Sequence, residues 1–103
     1  MDGFTLIADG NRRAILDSLR TRECDVGTLT ELLSLPQSLV SKHLRVLRDA
    51  GAVTSAVVGR RRVYRLGIDL LPDVLAWVTP YHDMWAGALN RLEHALDDEE
   101  DDA

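Results

Sequence analysis

The chain is 103 residues long, carries 12 Lys and Arg against 17 Asp and Glu for a formal charge of −5, and is 46% apolar. That composition suits one small globular domain and excludes a disordered or two-domain chain. Cys24 is the only cysteine, which excludes an intramolecular disulfide and any cysteine-cluster metal site within one chain, and points to a reducing compartment.

No run reaches the roughly 18 apolar residues of a membrane-spanning helix. The opening Met1-Asp2-Gly3-Phe4 lacks the basic-then-apolar order of a secretory signal, so the cytoplasm is the expected location. A domain this small buries only about two-thirds of the surface its unfolded chain exposes. Any face left apolar therefore calls for a partner, most simply a second copy.

The net acidity hides a split. Residues 1–66 hold 11 basic and 7 acidic side chains, whereas residues 67–103 hold Arg91 against 10 acids. The window 37–66 has seven basic residues against Asp49 alone. Such a concentrated basic segment attracts polyanions whatever the whole-chain charge.

Phe4, Leu6 and Ile7 suggest a short helix, and Asp9-Gly10-Asn11 then offers a break and a cap for a helix from about Arg12 to Arg20, with Ala14, Ile15 and Leu19 inward. Thr21 to Asp25 reads as a polar loop. Val26-Gly27-Thr28 opens a second helix in which Leu29, Leu32 and Leu33 fall at i, i+3 and i+4, and Ser34-Leu35-Pro36 ends it. A third helix is predicted from Gln37 to Ala50, with Val40, Leu44 and Leu47 inward, Pro36 tolerated at its start and Gly51 placed to cap its end. Two short helices joined this way are the pattern of a helix-turn-helix, although a plain αα-hairpin looks similar.

The next residues distinguish the two. Ala52 to Val58 is β-rich, Gly59-Arg60-Arg61 reads as a turn, and Arg62 to Leu66 is β-rich again, so a hairpin follows the helix pair as a wing would. Its alternation puts Arg62, Tyr64 and Leu66 on one face and Arg61, Val63 and Arg65 on the other. The basic tip must then be solvated or bound to an anion. A last helical region is expected from Asp69, split or kinked near Thr79 by Pro80. Tyr81, Trp85, Ala88, Leu89, Leu92 and Leu96 continue it as an apolar stripe, and residues 97–103 are expected to fray as a solvated acidic tail.

The candidate nucleic-acid contacts are Gln37, Ser38, Ser41, Lys42 and Arg45, with Arg48, on the outward face of the third helix, and Arg60, Arg61 and Arg62 on the wing. Gln can both donate to and accept from adenine, Ser bonds a base edge or phosphate, and Lys and Arg reach guanine or phosphate. The candidate dimer interface is Phe4, Leu6, Trp77, Tyr81, Trp85, Leu89 and Leu92, more aromatic and aliphatic surface than so short a chain hides easily. His43 is expected to pack and hydrogen-bond in place, and the thiol of Cys24 to be incidental. His82 and His94 lie twelve positions apart, a poor metal pair within one chain at ~1.5 Å rise per residue. No glycine-rich phosphate loop, nucleophile elbow or acid–base pair is present, so no catalytic residue, metal ligand or cofactor is assigned.

The runs Leu6–Leu16, Val26–Leu33, Gln37–Leu47 with Ala50-Gly51, and Gly59–Leu66 resemble the bacterial ArsR/SmtB winged-helix repressors; Val40–Gly51 is the most specific of them. The resemblance implies a homodimeric repressor on a twofold-symmetric operator, with the helix from Gln37 in the major groove, the wing at Arg60–Arg62 on the flanking backbone, and release by an inducer. The family's metal sensors carry Cys-x-Cys where this chain reads Leu29-Thr30-Glu31-Leu32-Leu33. Their other zinc-type site, laid on His82, meets Pro80, Glu93 and Leu96 where ligands are needed. Metal sensing is therefore disfavoured.

The expected architecture is a mainly α, single winged helix-turn-helix domain over residues 1–103: recognition helix about 37–50, wing about 52–66, dimerising helices about 69–96. The expected partners are double-stranded operator DNA and a second copy, with no membrane. Two alternatives stand beside this: a winged-helix module whose basic face docks an acidic protein, and a metal-responsive repressor with His and carboxylate ligands on the last helix.

Overall fold

Aspartate side chains open the first three helices of the chain. The structure is a computed structural model that describes the backbone of residues 1–101 and the side chains of residues 1–98. Asp2 accepts from the Thr5 backbone N–H at the start of α1 (Gly3–Ala8), Asp9 from those of Asn11 and Arg12 at α2 (Gly10–Thr21), and Asp25 from that of Thr28 at α3 (Val26–Leu33). Each carboxylate satisfies N–H groups that have no partner inside the helix. The other end of α1 is closed by arginines: Arg12 donates from Nε to the Leu6 carbonyl at 2.7 Å and from Nη2 to that of Thr5 at 3.0 Å, and Arg13 donates to that of Ile7 at 2.6 Å. The adjacent arginines of the Asn11-Arg12-Arg13 run thus hold α1 against α2.

The helix α4 (Gln37–Asp49) follows α3 through Ser34, whose φ of 53° is left-handed, and ends before Gly51 at φ 81°. The strands β2 (Val53–Val58) and β3 (Arg61–Leu66) pair antiparallel from Val53↔Leu66 to Val58↔Arg61, joined by Gly59 and Arg60. Gly59 has φ 64°, the positive φ that a two-residue hairpin turn demands. A short strand β1 (Cys24–Asp25) adds to the far side of β3, giving the order β1-β3-β2.

Ile15, Cys24, Leu29, Val40, Leu44, Leu47 and Val53 are fully buried in one core shared by α2, α3, α4 and the sheet. Gly67 closes it, donating to the Ala52 carbonyl at 2.8 Å; a Cβ there would run into the Gly51 carbonyl oxygen. The chain divides into two compact units, Met1–Pro72 and a second beginning at Asp73, which is the remainder of α5 (Pro72–Asp101).

Several expectations are corrected. Thr21–Asp25 is not all loop: Cys24 and Asp25 form β1, and the Cys24 side chain fills the core at 2% exposure. Arg61 belongs to β3 rather than to the turn. Leu6, assigned to a dimer interface, is 2% exposed and packs inside the first unit, so it is not available to a second copy. The last helix starts at Pro72, not Asp69, because a residue before proline disfavours helical backbone, and Leu71 sits at φ 49°. It is also not split in two at Pro80, whose ring removes one helical N–H; one helical element of thirty residues contains it. Residues 97–101 continue it rather than fraying, and residues 102 and 103 of the expected tail lie outside the described residues.

Candidate nucleic-acid interface

The face of α4 follows from its hydrophobic spacing. Val40, His43, Leu44 and Leu47 point into the core, so Gln37, Ser38, Ser41, Lys42, Arg45 and Arg48 are turned outward and exposed. Among the described residues, none of these six side chains has a hydrogen bond or ion pair within the chain. Pro36 provides no side-chain cap; its carbonyl accepts from the Leu39 and Val40 N–H groups at 3.1 Å. No acidic residue lies in the first turn of α4.

His43 is buried as expected, but it does not hydrogen-bond: Nε2 lies 3.9 Å from Asp9 Oδ1, and Nδ1 has no partner. The contact places His43 of α4 beside the cap of α2. The Asp9 carboxyl is held below its ordinary value, chiefly by the Arg12 backbone N–H.

On the wing the arginines differ. Arg60, at the tip, is exposed and has no partner among the described residues. Arg62 donates to Ser55 Oγ at 3.1 Å across the hairpin. Arg61 donates from Nε to Asp25 Oδ2 at 2.7 Å, and Arg65 lies 3.8 Å from Glu23. Asp25 therefore serves two elements at once, one oxygen capping α3 at Thr28 and the other holding β3. Its carboxyl is drawn down to about 2, first by the Thr28 N–H, then by the Thr28 side chain and Arg61. Sequence reasoning missed this role of Asp25 and Glu23. The cap had a local sign in Asp25 preceding Val26-Gly27-Thr28; the partner, 36 positions away, had none.

On α5, Trp77, Tyr81, Trp85, Leu89 and Leu92 are between 44% and 60% exposed, and Phe4 on α1 is 42% exposed. The rings of Trp77 and Tyr81 lie tilted by 45° with centroids 5.1 Å apart, and those of Tyr81 and Trp85 tilted by 39° with centroids 6.5 Å apart. The five residues fall at spacings of four and three, one stripe of the helix. His82 and His94 are exposed on the same helix, His82 within 3.7 Å of Asp83. Among the described residues no three His, Cys, Asp or Glu side chains are grouped to hold a metal ion, and no helix is long and apolar enough to cross a membrane.

Comparison with known proteins adds the following. The family model described as "Bacterial regulatory protein, arsR family" matches residues 9–55, the stretch from the cap of α2 into β2. The HTH-type transcriptional regulator Rv2034 of Mycobacterium tuberculosis is 38% identical over 97 residues, covering 93% of this chain and 87% of that protein. A crystal structure described as a possible transcriptional regulator for arsenical resistance superposes with a TM-score of 0.69 at 34% identity, covering 89% of this chain and 93% of the other. A homodimeric winged helix-turn-helix DNA-binding domain, Mb0332 from Mycobacterium bovis, superposes with a TM-score of 0.64 at 26% identity over 79% of this chain and 75% of its own. With its helix pair, wing and relatives in agreement, the chain belongs to the arsR family and is a winged helix-turn-helix transcriptional regulator, not an enzyme.

Proposed function

We propose that the chain is a homodimeric repressor of the cytoplasm that binds a pseudo-palindromic operator and leaves it in response to an inducing signal. The observation that carries the DNA reading is the outward face of α4, six polar and basic side chains with no partner among the described residues. Gln37, Ser38, Ser41, Lys42 and Arg45 supply base-edge and phosphate contacts in the major groove, and Arg60, Arg61 and Arg62 supply phosphate contacts beside it. The dimer reading is supported by the exposed stripe Trp77, Tyr81, Trp85, Leu89 and Leu92 with Phe4, and by the homodimeric relative of the same fold. Two recognition helices in a twofold dimer address half-sites about one DNA turn apart, ~34 Å.

Selection of bound DNA from a random duplex library at near-physiological salt, followed by salt titration of the selected site, tests this reading. A pseudo-palindromic motif with a steep salt slope is expected. Recovery of no motif, with a stable complex to an acidic protein instead, would overturn it.

A further inference from the structure

Three arginines crown the wing, but one of them is already engaged. Arg61 gives its Nε–H to Asp25 Oδ2 at 2.7 Å, while among the described residues Arg60 has no partner and Arg62 only a neutral hydroxyl. Asp25 is not free to drift away, because its second oxygen is fixed by the Thr28 N–H at 2.7 Å at the start of α3. The cap therefore holds the carboxylate in place, and the carboxylate holds the guanidinium. A second, looser pair lies along the same edge, Glu23 3.8 Å from Arg65, whose Nε–H donates to Thr54 Oγ1. In β3, Arg61 and Arg65 share one face and Arg62 the other. The acids before α3 thus compensate one face of the wing and leave the other, with the tip, uncompensated.

We propose that Asp25 competes with DNA phosphate for Arg61, and so lowers the affinity of the wing for any duplex. This rests on the DNA-binding reading above. A guanidinium has five N–H donors, so Arg61 keeps donors for a phosphate, but it meets that phosphate with a carboxylate at its back. A phosphate contact either displaces the ion pair or shares the charge with it. Arg61 is then the weakest phosphate contact of the three, and Asp25, which touches no DNA itself, is a positioning residue that sets how many charges the wing brings to the backbone. Arg61 is 63% exposed at its side chain, so the competition is screened by solvent and its effect is severalfold rather than orders of magnitude.

Asp25→Asn is the discriminating substitution, because Asn is also a good N-cap and retains an oxygen for the Thr28 N–H while losing the charge. Binding of a random-sequence duplex is measured across salt concentrations for the parent, Asp25→Asn, Arg61→Met and the double variant, with circular dichroism confirming that each is folded. Asp25→Asn should raise affinity about two- to fivefold and steepen the salt slope by up to about 0.9, one phosphate's worth. In the Arg61→Met background the same substitution should produce neither change, which separates action through Arg61 from general loss of an acid. Unchanged affinity and slope in Asp25→Asn, or a gain that persists without Arg61, would overturn the proposal while leaving the DNA reading intact. If neither the parent nor any variant binds the duplex at low salt, the DNA reading itself falls.

Discussion

Gln37 and Arg60 are the two residues whose contacts should differ most in kind. Gln37 stands at the first turn of α4, exposed and with no partner among the described residues, and its amide can donate to and accept from one base edge. Arg60 stands at the wing tip with a charge and no partner among the described residues. Gln37→Ala should therefore change base preference at one operator position, at ~1–3 kcal/mol of lost discrimination. Arg60→Ala should weaken binding to every sequence alike and flatten the salt slope by about one. Competition binding with single-base operator variants separates them; a uniform loss on Gln37→Ala would remove that residue from base readout. The outward residues of α4 were legible in the sequence because thirteen helical residues repeat their apolar spacing often enough to define both faces. Leu6 was not, because a six-residue α1 spans less than two turns and does not by itself show which apolar side chain faces inward.

At the scale of elements, α1, α2 and α3 share a device that α4 lacks. Asp2, Asp9 and Asp25 each cap a helix, and backbone N–H donation lowers the pKa of each from its ordinary 3.8, that of Asp25 to about 2. A carboxyl more acidic folded than unfolded adds stability that is fully present above its unfolded value and is lost as pH falls through the folded one. The contribution of Asp25 is thus lost between about 3.8 and about 2. Urea midpoints of the parent and of Asp25→Asn, followed from pH 5 down toward pH 2, should converge as the pH falls; a constant gap would show that the charge of Asp25 does not stabilise the fold. Pro80 gives the opposite kind of test. It sits inside α5 without ending it, at a position where proline costs a helix interior about 3 kcal/mol relative to alanine. Pro80→Ala should raise the helical signal and the thermal midpoint, and a lower midpoint would show that the proline shapes a contact the protein needs. The helix pair and hairpin could be read from spacing, turn residues and β-propensity. The two-residue β1 could not, since Cys24-Asp25 is too short to alternate and exists only because β3 offers it an edge.

Across the whole molecule, the two units divide the work. The first, Met1–Pro72, holds the buried core, the outward face of α4 and the wing. The second is, over its described residues, the remainder of α5, and a helix cannot bury its own apolar stripe, so Tyr81, Trp85, Leu89 and Leu92, all exposed, are the surface a partner would cover. A twofold partner would cover it by symmetry, since the same stripe on a second copy is complementary to itself. In the proposed dimer two α4 helices would act as one reader, and the second half-site would be bound intramolecularly, at an effective concentration far above that of free protein. Trp85→Glu with Leu89→Glu should therefore yield a monomer by analytical ultracentrifugation. Its affinity for the selected operator should fall on the order of 100-fold or more, because the linkage of half-sites alone contributes a factor of ~10²–10⁴. Each first unit keeps its α4 face and wing, so weak binding to random duplex at low salt should survive with a shallower salt slope. A variant that stays dimeric would place the interface elsewhere. One that becomes monomeric yet holds the operator undiminished would show that a single winged helix reads the site without its symmetry mate.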